Sequence, residues 1–211
     1  MGQPEAGDPA TRIQEIQTFW FGELAEGFSH PDQRRRWFMA DAALDAQITE
    51  RFGADVELAL AGGLDHWPLS ANGRLALILL LDQFTRNLFR GQPRAFAGDP
   101  RALELARIGV SRGDDQLLPP EPRVFLYLPF EHSESRADQN TSVVLFERLH
   151  DAVASDPKAA KVIEDYLHHA RAHREIIERF GRFPHRNEGL ARPSTDAEVA
   201  WLAEDGRRFG Q

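Results

Sequence analysis

The sequence predicts an all-α protein. Apolar residues recur at helical spacing from end to end, and Asp-Pro pairs or Ser/Thr caps open the periodic stretches. No stretch alternates with period two between hairpin turns. The 211 residues divide into a flexible N-terminal tail, residues 1–8, and one helical domain, residues 9–211.

Each element has its own signal. Asp8-Pro9 opens the first helix, with Ile13, Ile16, Phe19 and Trp20 on one face and Gly22 as its stop. Asp41 starts a second, through Leu44, Ile48 and Phe52 to Leu60, before Gly62-Gly63. Ser70 caps a third that carries Leu75 to Leu81 and reaches Phe89. Asp99-Pro100 repeats the cap-and-proline start for a fourth. A short fifth, Val124 to Leu128, should end or kink at Pro129. The sixth covers Arg136 to His150, and the seventh runs from Asp156-Pro157 to Phe180 with Gly181 as its left-handed stop. Thr195 and Glu198 form a capping box for the last, which holds Val199 and Leu202. This makes about eight helices.

Composition bounds the function. A hydrophobic fraction of 42% supports a substantial core. The absence of cysteine removes disulfides, thiol nucleophiles and cysteine-ligated metals. A net charge of −8 without a basic stripe argues against nucleic acid. The longest aliphatic run, Leu75 to Leu81, is too short for a bilayer, and no signal peptide is apparent, so the expected location is the cytoplasm and no membrane partner is expected. Lys158 and Lys161 are the only lysines, so the other cations are arginines, which bind carboxylates and phosphates through two parallel bonds.

Four stretches place polar groups where a helical core should be. At about 100° per residue, Asp82, Gln83, Arg86, Asn87 and Arg90 continue the arc occupied one to two turns earlier by Leu75, Ala76, Leu79 and Leu80. Such an apolar-to-polar switch reads as a polar cavity, as a helix emerging into solvent, or as an internal ion pair of Arg86. On the long helix, His169 and His173 share a face with Val162, Tyr166, Ile177 and Phe180. Their spacing allows a shared metal or, more blandly, two buried hydrogen bonds. Glu131, His132 and Glu134 follow the Pro129 break and are the candidate catalytic groups. Acids there also suit the start of the next helix, though capping alone leaves the histidine unexplained. Arg182, His185, Arg186 and Asn187 follow the end of the long helix, more cation than its carbonyls need.

These stretches together carry a resemblance. Asp82-Gln83-Phe84 with Arg86-Asn87, Pro129 to Glu134, and Arg179 to Asn187 resemble the bacterial domain-of-unknown-function family 924. Phe19-Trp20-Phe21-Gly22, Arg36-Trp37-Phe38, Arg90-Gly91 with Ala95-Phe96 and Asp99, and Ser194-Thr195 fit it as well. The likeness spans residues 13–202, and Thr85 departs from it where proline is expected. It implies an α-α superhelix similar to tetratricopeptide proteins and supplies no activity.

The expected function is a binding module, with a pocket for an anionic small molecule or peptide lined by Asp82, Arg86, Asn87, Arg90, His132, Arg182, His185, Arg186 and Asn187. One alternative is a hydrolase working through the His and carboxylate groups. The other is a polar network with no ligand. No cofactor is expected, with a divalent metal on His169 and His173 as the option that spacing leaves open.

Overall fold

The computed structural model describes residues 8–39 and 41–204. Of the expected tail, residues 1–7 lie outside the described residues. Asp8 is the N-cap of α1 (Pro9–Phe21), its carboxylate accepting from the Ala10 amide at 3.4 Å. Then come α2 (Pro31–Phe38), α3 (Ala42–Leu60), α4 (Ala71–Ile78), a π-helical segment (Leu79–Phe84) and α5 (Thr85–Leu88). The second half holds α6 (Asp99–Arg112), α7 (Pro120–Glu131), α8 (Arg136–Val153), α9 (Pro157–Phe180) and α10 (Asp196–Glu204). No β-strand forms among the described residues beyond an isolated bridge between Ala25 and Phe28. No described helix is long and apolar enough to cross a membrane.

Helix α4 is the axis of the core. Leu75 to Ile78, and Leu79 to Leu81 beyond them, are at most 1% exposed, so the helix is covered all round and not on one face. It packs against α1, α6 and α7, while α8 and α9 pair with each other along their length. Around its far end the rings of Trp20, Trp37, Phe84 and Phe125 stack, tilt or meet edge to face at 4.7–5.9 Å. Glu121, fully buried, ties α7 to its neighbours by accepting from the Ser29 amide and from the Tyr166 hydroxyl.

Several elements depart from the sequence reading. Helix α2 was not expected, because Gln33 to Arg36 are polar and its cap is unusual. His30 Nδ1 accepts from the Asp32 amide at 3.3 Å, where Ser or Asp would normally stand. Helix α7 begins earlier than expected, at Pro120, and Pro129 does not end it. The chain stays helical to Glu131, and the His132 amide closes on the Leu128 carbonyl at 2.9 Å. Asp99 is not the N-cap of α6; Gly98 stands there without a side-chain cap, and the Asp99 carboxylate is used elsewhere. In α10 the buried residues are Glu198 and Trp201, while Val199 is 55% exposed.

Candidate functional site

The third predicted helix is continuous in space but not in hydrogen bonding. Between Ile78 and Thr85 it widens into the π-helical segment, a form frequent at functional sites. The Thr85 hydroxyl donates to the Leu81 carbonyl at 2.8 Å, where a proline could not. Gly98 crosses close to the same carbonyl, since a Cβ on Gly98 would lie 2.2 Å from it. This approach brings Asp99, at the start of α6, against the polar side of the widened helix.

There Asp82, with no exposure, accepts from His132 Nδ1 at 2.7 Å and pairs with Arg86 at 3.2 Å. Gln83 Nε2 donates to its other oxygen. Burial alone would raise the Asp82 carboxyl, but the charges of Arg86 and His132 and the two hydrogen bonds hold it well below the usual range. Arg86 also contacts Asp99 at 3.0 Å, and these two carboxylates keep its guanidinium charged despite burial. From the C-terminal loop Arg186 reaches the same Asp99 at 3.5 Å and donates to the His132 carbonyl at 3.0 Å. Its guanidinium is sandwiched between Phe183 and Phe96, 4.5 and 4.9 Å from the ring centres. Burial, reinforced by the charge of Arg86, pushes Arg186 down to about 10.

Arg86, His132 and Arg186 edge a cavity of about 520 Å³, while Asp82 and Asp99 stand behind them and do not line it. Arg86, Asn87, Arg90, His132, His173, His185 and Arg186 supply most of its polar wall, with Gln83 and one carboxylate, Glu188, completing it. Trp37, Met39, Phe96 and Leu128 supply much of the apolar one. Arg90 and Asn87 are held by Asp45 of α3, at 3.0 and 2.7 Å. All three histidines are held towards the neutral form, chiefly by burial. His132 and His173 are lowered, and His185 is brought to about 3 with help from the Arg186 charge. Beneath His173, burial and the Asp82 charge raise Glu131 to about 8.

Some predicted residues belong elsewhere. Arg182 and Asn187 do not line the cavity. Both reach Glu198, Arg182 through two bonds of 2.7 and 2.8 Å, and so fasten α10 to the end of α9. Glu134 is tied into the C-terminal loop: both its oxygens accept from Arg192, and one accepts from the Phe183 amide at 2.8 Å. His169 and His173 do not face one another. The buried stripe of α9 runs through Ala159, Ile163, Tyr166, Ala170, His173 and Ile177, which leaves His169 exposed one position off it. His173 is buried, its Nδ1 at 2.9 Å from the His169 carbonyl. Among the described residues no group of three or more acidic or histidine side chains converges as a metal site.

Asp99 is the residue that sequence reasoning missed, because an Asp-Pro pair already had an explanation as a cap. The signal available was its place beside Arg90-Gly91 and Ala95-Phe96 in the family pattern.

A solved protein of unknown function from Agrobacterium tumefaciens is similar to this chain, at 41% identity and a TM-score of 0.75, covering 93% of this chain and 99% of its own. No curated protein matches the chain. The family model described as a bacterial protein of unknown function, DUF924, matches residues 16–206. With nearly its whole length matched, the chain belongs to the bacterial family DUF924.

Proposed function

We propose that the protein binds a small organic anion, with Arg86 and Arg186 directed at the anionic group and the aromatic wall covering the rest of the molecule. The carrying observation is the sharing of Asp99. Two guanidiniums meet one carboxylate, and the Nε of each has no hydrogen-bond partner. Arg186 is only 5% exposed, so it keeps a buried charge with a fraction of a counter-ion. A ligand carboxylate or phosphate supplies the missing charge and accepts from the remaining donors. The cavity volume of about 520 Å³ suits a metabolite-sized molecule better than a peptide.

The test is thermal unfolding with succinate, benzoate and inorganic phosphate against chloride at matched ionic strength. The expected result is a rise in Tm that saturates and is largely lost in Arg186→Met. Binding at 100 times Kd adds about 2.7 kcal/mol. Equal shifts in parent and variant for every anion would reduce the effect to non-specific exclusion and remove this reading.

A further inference from the structure

We propose that the cavity is hydrolytic, with His132 as the general base and Asp82 as its positioning residue, acting on an ester of the bound organic anion. This rests on the anion-binding reading of Arg86 and Arg186 and adds a chemical step to it.

The argument starts from the tautomer. Asp82 is ionised, so the hydrogen in the 2.7 Å contact sits on His132 Nδ1. In the neutral ring the lone pair is then on Nε2. No described residue hydrogen-bonds that nitrogen, and the side chain is 14% exposed at the cavity wall. An imidazole kept for structure in a core normally uses both nitrogens; this one uses one and presents the other. His173, 6.3 Å away between ring centres, is the more deeply buried of the two. Its Nδ1 lies between the His169 carbonyl at 2.9 Å and Glu131 at 3.0 Å.

The ring is also held in its basic form. The groups facing it are Asp82 and Arg86 from the widened helix and its continuation, His173 from α9, and Arg186 and His185 from the C-terminal loop. Burial and the cations outweigh Asp82, so the imidazole is neutral at ordinary pH. The same cations favour negative charge growing on an acyl oxygen.

The step balances without a further reactant beyond water. The water oxygen bonds to the acyl carbon while its proton passes to His132 Nε2, and the carbonyl pair moves onto oxygen. Collapse of that oxyanion breaks the bond to the alkoxy oxygen. The departing alkoxide takes the proton back from Nε2, leaving a carboxylic acid, an alcohol and neutral His132.

The probe is 4-nitrophenyl hemisuccinate, with 4-nitrophenyl acetate as the uncharged control. Saturable release of nitrophenolate from the hemisuccinate is expected. His132→Gln should lose about 100-fold or more in kcat/KM, the scale of general-base catalysis. Asp82→Asn should lose at least about 10-fold through the wrong tautomer. Its acid limb should also move to lower pH, because Asp82 raises the His132 value. Arg186→Met should raise KM for the hemisuccinate more than for the acetate. Should Asp82→Asn fail to fold, a folded His132→Gln decides alone: retained turnover overturns the proposal. Succinate that stabilises the parent with no turnover of the probe overturns hydrolysis and leaves anion binding standing. Neither stabilisation nor turnover removes both.

Discussion

His173 Nδ1 lies 3.0 Å from a carboxyl oxygen of Glu131, and the contact joins two groups that burial drives towards neutrality. Glu131 holds its proton to about 8 in the folded chain, against an ordinary value of 4.5. Between those values the unfolded chain has lost a proton that the folded chain keeps, so this group makes stability fall as pH rises. Glu131→Gln keeps the shape without the titration. It should be close to neutral at pH 5 and more stable than the parent at pH 8, by on the order of 1–3 kcal/mol. Urea unfolding at the two pH values measures this, and a difference of the opposite sign would refute the protonated carboxyl.

Arg86 and Arg186 share Asp99 but should respond oppositely to loss of charge. Arg86→Met strands Asp82 and Asp99 and should cost about 3–5 kcal/mol. Arg186→Met keeps an apolar stem between Phe96 and Phe183 and removes the less compensated charge. In the absence of anions it should be neutral, or stabilising by about 1 kcal/mol. Denaturant titration of the two variants separates strut from ligand group.

The close approach of Gly98 to Leu81 gives a remote handle on the cavity. Gly98→Ala places a methyl where the Leu81 carbonyl stands, and should destabilise by about 1–3 kcal/mol. Displacing Asp99 should also uncouple the two arginines, so the saturating anion response should weaken. An unchanged Tm would show that the crossing is looser than described.

Arg182 and Glu198 provide the internal control. Both lie off the cavity, and the Thr195 amide and hydroxyl donate to the same carboxylate at 2.7 and 3.1 Å. Removing that latch by Arg182→Ala should lower the Tm modestly. Amide exchange in α10 should accelerate while the anion response stays at parent level.

The fold class was legible because the long helices announce themselves by spacing and several of them by caps. Ser70 caps α4, Asp156 caps α9, and Thr195 with Glu198 forms the reciprocal box of α10. The polar arc from Asp82 to Arg90 was legible as well, since charge on the continuation of a buried face demands a partner. Three things were hidden. A 100° wheel cannot show the π-helical segment, nor the Gly98 crossing that lies against it at Leu81. It also misassigned the face of α9: the apolar stripe is centred on Ile163 and Ala170, and that puts His169 outside. Arg182 and Arg186 look alike in sequence, four residues apart, yet one fastens α10 and the other edges the cavity. Only the position of Glu198 distinguishes them.

The cavity wall draws on segments far apart in the chain: the Asp82–His132 contact spans 50 residues and the Arg186–His132 contact 54. No hairpin of neighbouring helices contains the wall, so no excised fragment inherits it. Occupancy is then coupled to the cooperative unfolding of the helices that contribute to it, and not to the fraying of one end. An anion bound here acts as a keystone: native-state exchange should slow together in α5, α7 and the loop after α9, though these never meet in sequence.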